Sequence, residues 1–248
     1  MTRLQVHNCL RTVQGWLLPP TCIRCGSSGR APAVDLCADC ESEFALNAAA
    51  CPACAVSLPS NMDGACAACR RRPRPFDSAV APYRYEYPVD RLVWRFKYEG
   101  RLEIGRVLAE LLAGALAARR VMKPDALIPV PLALAKLRER GFNQALELAR
   151  PVARALSIPV RTDLCTRVRL TEDQAGLAAR ERRRNVRGAF AASDQAVPRH
   201  VALIDDVLTT GSTCEELARE LKRAGAVRVD VWVIARANAR TDSRGRGR

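Results

Sequence analysis

Residues 201–211 read Val-Ala-Leu-Ile-Asp-Asp-Val-Leu-Thr-Thr-Gly. Four consecutive apolar residues, 201–204, are typical of a strand that is buried on both faces of a parallel sheet. The adjacent carboxylates Asp205 and Asp206 then stand at the carboxyl end of that strand, where open α/β sheets bind their ligands. The stretch therefore predicts an α/β fold with a ligand site at this edge of the sheet.

The loop after the carboxylates favours an anion. It carries hydroxyl side chains and one glycine, namely Thr209, Thr210, Gly211, Ser212 and Thr213. Its backbone amides lead into a predicted helix N-terminus, which attracts an anion such as phosphate. Carboxylates that accept sugar hydroxyls beside a phosphate loop indicate a ribose phosphate as ligand.

Both halves of this motif also have purely structural interpretations. Ser212 and Glu215 have the spacing of a capping box, which can coexist with a ligand role. Asp205 and Asp206 can form a turn after the strand, but two adjacent carboxylates repel each other and need cations or hydroxyl donors nearby. This electrostatic cost favours the functional interpretation.

The chain around the motif alternates strands and helices, which predicts an α/β domain with a mostly parallel sheet. Further predicted strands cover residues 78–85, 126–128, 158–160, 188–190 and 227–233, and predicted helices cover residues 88–96, 104–118, 132–140, 143–155 and 213–223. The turn Pro129-Val130-Pro131 is rigid because its prolines stop ladder bonding. It is either a ligand-holding loop or an ordinary strand-to-helix connection.

Two other stretches have an unusual composition. Residues 166–187 hold seven arginines and three acidic residues. A long basic segment between core strands is typical of a lid or binding loop. Residues 83–98 hold half of the 12 aromatic residues, which form either part of the core or a stacking surface for bases: Tyr83, Tyr85, Tyr87, Trp94, Phe96 and Tyr98.

Eight of the eleven cysteines form four C-x-x-C pairs, and the third and fourth pairs repeat the first two at an offset of 29 residues. Four thiolates per half predict a closed tetrahedral zinc site, so we expect about two structural zinc ions. Pairing within each half is the simplest arrangement, but an interleaved arrangement, or free thiols or disulfides, stays open. The cysteines are Cys22, Cys25, Cys37, Cys40, Cys51, Cys54, Cys66 and Cys69.

The formal net charge of the 248-residue chain is +14, and 36 of its 40 basic residues are arginine. The charge reflects either an arginine-rich composition or a polyanionic partner. Polar residues interrupt residues 3–18, so no secretory signal is expected there. The longest nearly apolar run, 107–118, is too short to be a transmembrane segment. We therefore expect a soluble, cytoplasmic protein.

These features predict a division into two folded domains with short flanking segments. The basic, proline-containing stretch between the domains is interpreted as a solvated linker, with a strap beside the zinc module as the alternative. The predicted units are an N-terminal helix within residues 1–20, a double zinc ribbon at 21–70, a linker at 71–75, the α/β domain at 76–240 and a disordered basic tail at 241–248.

The motifs resemble those of one family, from about residue 17 to residue 237. The stretch Leu203–Thr213 is similar to the phosphoribosyl pyrophosphate (PRPP) signature of type I phosphoribosyltransferases. The whole pattern is similar to the ComF family, which includes competence proteins and GntX-like proteins. It consists of the tandem zinc ribbon, Lys97-Tyr98-x-Gly100, Pro129-Val-Pro131, Arg140-Gly-Phe-Asn-Gln144, Arg169-x-Thr171-x-x-Gln174-x-x-Leu177, Arg184-Asn185-Val186 and the PRPP loop.

This resemblance implies a type I phosphoribosyltransferase-like fold, with helices on both faces of the sheet, and a role for each motif. Asp205 and Asp206 would receive the ribose hydroxyls, and Thr209–Thr213 would wrap the 5′-phosphate. The Pro129–Pro131 turn would hold pyrophosphate, and Arg167–Arg187, with Arg184, would form the loop that closes over PRPP. Charge for catalysis would come from Mg²⁺ and from Arg138 and Arg140.

The resemblance also implies partners and a biological setting. The expected ligands are PRPP with Mg²⁺, and the expected setting is DNA uptake in natural transformation, with single-stranded DNA and the competence helicase as partners. One hypothesis is an enzyme of nucleoside metabolism that transfers phosphoribose to an unknown acceptor. The other is a non-catalytic protein that senses PRPP or binds single-stranded DNA, because a shared fold does not establish catalysis.

Overall fold

The computed structural model describes residues 20–30, 34–169 and 179–238. Three expectations lie outside these residues: the helix within residues 1–20, the centre of the basic segment at 170–178 with Thr171, Gln174 and Leu177, and the tail at 241–248. Among the helices of the described ranges, none combines the length and apolar content needed to cross a bilayer.

The described residues form short helices in the cysteine-rich part and alternating strands and helices after it. The helices are α1 (Ala38–Ser42), α2 (Ala67–Arg71), α3 (Val89–Tyr98), α4 (Leu102–Ala118), α5 (Leu134–Arg140), α6 (Gln144–Leu156), α7 (Ala179–Val186) and α8 (Ser212–Arg223). The strands are β1 (Ser78–Val80), β2 (Tyr83–Arg84), β3 (Ala126–Pro129), β4 (Cys165–Arg167), β5 (Phe190–Ala192), β6 (His200–Leu208) and β7 (Arg228–Arg236).

The cysteine repeat is also a structural repeat. Antiparallel bridges join Thr21 to Ser28 and Ala50 to Ser57, at the same 29-residue offset as the cysteines. Helices α1 and α2 keep that offset too, and each begins directly after the first cysteine of a C-x-x-C pair. Two similar ribbons therefore follow each other along the chain, as the cysteine spacing predicts.

Five strands of the described chain form one parallel sheet in the order β1–β7–β6–β3, and β2 pairs with the far end of β7. Strands β4 and β5 form a separate antiparallel pair. The expected strand at 158–160 is reduced to one parallel bridge between Val160 and Leu127, because Pro159 has no N–H to donate to a ladder. The predicted mostly parallel α/β sheet is confirmed.

Apolar side chains cover both faces of the sheet. On one face, α3, α4 and α6 pack against side chains that include Ala202 and Ile204 of β6. On the other face, α8 and the β4–β5 pair pack against side chains that include Val201 and Leu203. Successive residues of β6 thus enter opposite cores, which explains why this strand is a continuous apolar run.

Several boundaries differ from those predicted. The strand expected at 78–85 is divided into β1 and β2 by Pro82, which cannot donate a ladder bond. The helix expected at 132–140 begins at Leu134, after the proline turn, and ends at Gly141 with φ of 81°. Strand β6 continues through the two carboxylates to Leu208, so these residues lie within the strand and not after it.

The segment at 71–75 is more than the solvated linker that was predicted. It joins the second ribbon to β1, but the guanidinium of Arg74 is largely buried and forms an ion pair with Glu215 of α8. Arg74 also donates a hydrogen bond of 3.3 Å to the carbonyl of Thr210. The alternative interpretation, a basic strap beside the zinc module, describes this segment better, because a buried guanidinium needs such partners.

Candidate functional site

The two carboxylates lie where one neighbouring strand has ended. Strand β3 pairs with β6 only as far as Pro129, opposite Ile204. On the other side, the β6–β7 pairing continues to Leu208, opposite Arg236. Asp205 and the residue after it therefore face an opening at the carboxyl edge of the sheet, which is the usual ligand position in this class of fold.

A cavity of about 430 Å³ occupies this opening. One wall is the proline turn with the following helix α5, and the opposite wall is the loop between β6 and α8. Side chains from α3 and β4, together with Tyr85 and Gln144, also line it. The predicted site residues among the lining are Asp205, Asp206, Thr209, Gly211, Ser212, Thr213, Val130, Pro131 and Arg140.

Four predicted site residues are not part of this lining. Pro129 pairs within β3, and Thr210 belongs to the loop, where its hydroxyl lies 2.9 Å from that of Ser212. Arg138 is exposed on α5, and Arg184 is exposed on α7. The structure thus brings together most of the predicted ligand-binding residues and leaves these two arginines outside the cavity.

The carboxylates are held in a defined geometry by the strand that carries them. The backbone N–H of Asp206 donates to Asp205 Oδ1 at 2.9 Å, and the N–H of Val207 donates to Asp206 Oδ1 at 2.8 Å. Asp206 is only 3% exposed. Its other oxygen forms an ion pair with the ammonium of Lys97, from the last turn of α3.

Burial and neighbouring cations act in opposite directions on these charges. Burial raises the pKa of Asp205 to about 6, while Lys97, Arg167 and Arg140 oppose the rise. Burial also lowers the pKa of Lys97 to about 8, although Asp205 counteracts this. A cavity that holds buried acids and bases with displaced pKa values is typical of a functional site.

Sequence reasoning missed part of the cationic lining. Lys97 and Tyr98 were recognised only as a family motif, and Arg167 only as the start of a lid. In the structure, the Arg140 guanidinium lies over the ring of Tyr98, and that of Arg167 lies over Phe190, each at 5.5 Å. Apart from that motif, the signal for Lys97 was the rarity of lysine, since the chain has four lysines and 36 arginines.

Some of the aromatic residues of 83–98 are buried and others are exposed. Tyr83 and Phe96 are buried in the core. Tyr87, Trp94 and Tyr98 are exposed, and the rings of Trp94 and Tyr98 lie 5.8 Å apart beside the cavity. Tyr83 lies in β2, which covers only residues 83–84, whereas Tyr85 and Tyr87 follow that strand.

The loop begins the last helix without the capping box that was considered. The N-cap position is Gly211, whose φ of 83° is left-handed, and no side chain caps the helix. Ser212 is the first helical residue, and Glu215 is turned away to the ion pair with Arg74. The Ser212 N–H donates to the hydroxyl of Thr210 at 3.4 Å. The loop therefore leads directly into a helix N-terminus, which favours an anion.

The eight cysteines of the ribbons form two groups that fit zinc. Within each group, all four sulfurs lie within 4.8 Å of one another. The Sγ atoms of Cys25 and Cys37 are 3.7 Å apart, and those of Cys54 and Cys66 are 3.8 Å apart. Sulfurs around tetrahedral zinc are separated by about 3.8 Å, since each bond is about 2.3 Å long. The groups pair the cysteines within each half, which excludes the interleaved arrangement.

Comparison with known proteins also indicates two zinc ribbons in the N-terminal part of the chain. Residues 13–74 match the family model described as a double zinc ribbon domain. A solved purine phosphoribosyltransferase from Pyrococcus horikoshii matches 52% of this chain and 70% of its own, with 19% identity and a TM-score of 0.30. A likeness of that size supports no argument about the site.

Relatives of known name match most of the chain. It is 35% identical to Competence protein F of Haemophilus influenzae over 223 residues, which cover 87% of this chain and 96% of the relative. It is 35% identical to the DNA utilization protein YhgH of Escherichia coli K12, covering 81% and 90% of the two chains. Competence protein ComFC of Bacillus subtilis is 27% identical, covering 83% and 86%. With this identity over nearly the whole length of Competence protein F, the chain belongs to the ComF family of competence proteins.

Proposed function

We propose that the cavity binds PRPP together with Mg²⁺. The observation that carries this proposal is the placement of Asp205 and Asp206 beyond the end of β3, in one cavity with the loop at 209–213. Carboxylates on one side suit the ribose hydroxyls, and a helix N-terminus on the other suits the 5′-phosphate. The cavity thus offers complementary groups to both the ribose hydroxyls and the phosphate of a ribose phosphate.

The remaining lining suits a second, more highly charged group. Val130 and Pro131 form a rigid wall, and Lys97, Arg140 and Arg167 bring three cations near Asp205. Guanidinium groups bind phosphate oxygens through paired hydrogen bonds, so they complement pyrophosphate. Carboxylate oxygens are also the donors that suit Mg²⁺, which, when bound with PRPP, supplies further positive charge to the pyrophosphate.

In the catalytic form of the proposal, the chain transfers phosphoribose to a nucleophile. The bond between ribose C1 and the pyrophosphate oxygen breaks, and a bond from C1 to the nucleophile forms. The arginines and Lys97 stabilise the negative charge that develops on the leaving pyrophosphate. In the sensing form, the same contacts hold PRPP without turnover. Pyrophosphate release in the presence of a panel of bases and polyphosphates distinguishes the two forms.

Ligand protection against thermal unfolding tests the binding proposal. A ligand at 100 times its dissociation constant stabilises the folded state by about 2.7 kcal/mol, which is about 5–10 °C for a chain of this size. We expect this shift with PRPP and Mg²⁺, and smaller shifts with ribose 5-phosphate or pyrophosphate alone, since each fills only half of the cavity. Equal shifts with pyrophosphate alone and with PRPP would reject the proposed ribose contacts.

We further propose a role in the uptake or use of DNA, which the names of the relatives support. The net charge of +14 favours a polyanionic partner. Two further cavities, of about 410 and 350 Å³, share Arg72, Glu215 and Arg219 in their linings. Binding to single-stranded DNA should weaken steeply as salt is raised. If binding is absent or does not depend on salt, the positive charge reflects an arginine-rich composition and not a DNA-binding role.

A further inference from the structure

Two buried arginines connect the second ribbon to the loop beside the carboxylates. Arg236 is the last residue of β7, is 7% exposed and pairs in register with Leu208. Its Nε donates to the carbonyl of Cys54 at 2.9 Å, and its Nη1 donates to the carbonyls of Leu208, at 2.8 Å, and Thr209. One guanidinium thus bridges a zinc-ligand residue, the last residue of β6 and the first residue of the loop.

Arg74 makes the second connection, five residues after the last cysteine of the ribbon. Its guanidinium donates to the carbonyl of Thr210 and pairs with Glu215 in the first turn of α8. The guanidinium is close to Gly211 as well, since a Cβ there would lie 3.6 Å from its Nη1.

Together the two arginines bind three successive carbonyls at the end of β6 and the start of the loop, those of Leu208, Thr209 and Thr210. Fixed carbonyls fix the planes of the peptide groups that follow, and therefore the directions of their N–H groups. A phosphate loop depends on those directions, because its amides must converge on one anion. The ribbon thus supports the geometry on which the loop's chemistry depends.

The first ribbon is arranged differently. Its Arg24 donates to the carbonyl of Cys40 at 3.1 Å, pairs with Glu43 and lies over the ring of Tyr87 at 5.9 Å, away from the loop after β6. The contacts of this ribbon to the rest of the molecule include an edge-to-face contact between Phe44 and Tyr83. They also include an ion pair between Asp35 and Arg106 of α4. These contacts lead to the helical layer and not to the loop at 208–211.

We propose that the second zinc site positions the phosphate loop, with Arg74 and Arg236 as positioning residues. Zinc on Cys51, Cys54, Cys66 and Cys69 keeps the ribbon folded, since small four-cysteine modules depend on their metal. The folded ribbon supplies the Cys54 carbonyl and fixes the start of the Arg74 segment. Loss of the second zinc therefore loosens the loop, whereas loss of the first zinc does not. The consequence for PRPP affinity rests on the proposed function, but the consequence for loop order does not.

Hydrogen exchange of the full-length protein, followed by mass spectrometry over residues 205–214, tests this proposal. Cys66→Ser and Cys37→Ser are matched variants, because these cysteines hold equivalent places before α2 and α1. Arg74→Met and Arg24→Met form a second pair that leaves all eight thiolates in place. Zinc content is measured for each protein, and exchange in α6 serves as the internal reference for general unfolding.

We expect Cys66→Ser and Arg74→Met to speed exchange over 205–214 by about tenfold, the size expected when a supporting hydrogen bond is lost. Cys37→Ser and Arg24→Met should leave it within about twofold. Arg74→Lys, which keeps the charge beside Glu215, should restore part of the protection. If Cys66→Ser does not fold, the arginine pair decides the question, since both of its members should retain two zinc ions.

Unchanged exchange in Arg74→Met would overturn the proposal, and so would equal acceleration in Arg24→Met. Calorimetry with PRPP and Mg²⁺ adds a separate readout, for which we expect Arg74→Met to weaken binding about tenfold and Arg24→Met to leave it unchanged. If the wild-type protein binds no PRPP, the proposed function fails, and the exchange results still decide whether the ribbon positions the loop. If PRPP binds but exchange does not respond, only the positioning role fails.

Discussion

At the scale of single residues, Asp205 shows the conflict between stability and binding. Burial raises its pKa to about 6, and three nearby cations compensate for only part of that effect. A buried carboxylate is typical of a binding site. The ligand needs its negative charge, but when no ligand is bound the buried charge lowers the stability of the folded protein. This cost has a sign and a pH range that can be tested.

Replacing Asp205 by asparagine should stabilise the protein at neutral pH. The folded state holds the Asp205 proton up to about pH 6, whereas the unfolded chain releases it near 3.8. The contribution of Asp205 to stability therefore falls as pH rises from about 4 to about 6, and it stays constant above that range. We expect Asp205→Asn to change the free energy of unfolding, relative to the wild type, by about 2 kcal/mol more in the stabilising direction at pH 7.5 than at pH 4. Urea unfolding at the two pH values measures this difference.

The matched control for this variant is Asp194→Asn, an exposed acid away from the cavity. Its effect should stay within about 0.5 kcal/mol at both pH values. A loss of stability in Asp205→Asn that grows with pH would contradict the account, because it would mean that the cations outweigh burial.

Lys97 supports Asp206 and should matter more for stability than its position near the end of α3 indicates. Lys97→Met leaves the carboxylate of Asp206, which is 3% exposed, without its ion-pair partner. An uncompensated buried charge costs about 3 kcal/mol. We expect that loss in urea unfolding, and partial recovery in the double variant Lys97→Met/Asp206→Asn.

Lys123→Met provides the comparison, since Lys123 is exposed between α4 and β3. A similar loss in both lysine variants would show that the effect does not come from the ion pair. So would a double variant no more stable than Lys97→Met, since neighbouring partners should show coupling in such a cycle.

The local pattern predicted some of these residues and not others, for a physical reason. Asp205, Asp206 and the loop at 209–213 are adjacent in the chain, so their chemistry could be interpreted without a fold. Lys97 reaches the same cavity only because the apolar side of α3, with Val93 and Phe96, packs on the sheet. Proximity that depends on the packing of a distant helix leaves no local signal.

At the scale of elements, the glycine before α8 links backbone strain to the anion site. Gly211 has a φ of 83°, and a Cβ there would meet its nearest atoms at 3.6–4.0 Å. Space is thus adequate, and the left-handed backbone sets the cost. Gly211→Ala should therefore destabilise the protein by about 1 kcal/mol and weaken PRPP binding, as measured by urea unfolding and calorimetry.

Gly114→Ala is the opposite case within the same chain. Gly114 lies inside α4, and a Cβ there would find no atom within 4 Å. The substitution should stabilise the protein by about 0.5–1 kcal/mol, because alanine favours a helix. Equal effects of the two substitutions would contradict the assignment of strain to Gly211.

The ends of elements were harder to predict than their presence. The apolar run at 201–204 and the alternating valines after 227 both mark true strands. The length of β6 beyond its apolar run was not predicted, because it depends on β7, which keeps pairing to Arg236 after β3 has stopped. The cavity opens beside β6 because β3 stops pairing with it earlier than β7 does. This arrangement exists only in the assembled sheet.

At the scale of the molecule, both ribbons are built into the cores of the α/β domain. Leu36 and Phe44 of the first ribbon belong to the core of the helical face, and Ala55 of the second belongs to the core of the other face. Asn47 extends this connection, since its Nδ2 donates to the carbonyls of Ala55 and Ala81 at 2.8 and 3.1 Å. The metal sites should therefore stabilise the whole chain.

Elemental analysis of protein purified without chelator should find two zinc ions per chain. Removing them with a chelator should lower the unfolding temperature of the whole molecule, because each ribbon contributes side chains to one of the cores of the α/β domain. The control is readdition of zinc, which should restore the original transition. Absence of metal, or an unfolding temperature that chelation leaves unchanged, would contradict this role.

The division into domains followed from spacing and composition, but the relation between the domains did not. The cysteine repeat indicated two ribbons and left the pairing open until the sulfur positions were known. The contact between Arg74 and Glu215 joins residues 141 positions apart, and the composition of 71–75 did not indicate which residues this basic segment would contact. Contacts of that range are set by tertiary packing, which short patterns do not encode.

The central claim is that the cavity beside β6 binds PRPP with Mg²⁺ through its two carboxylates. Titration calorimetry of the full-length protein tests it most directly, with the double variant Asp205→Asn/Asp206→Asn and the control Asp194→Asn. We predict saturable binding to the wild type and to the control, and no measurable binding to the double variant. Absence of binding to the wild type, or equal binding to the double variant, would contradict the claim.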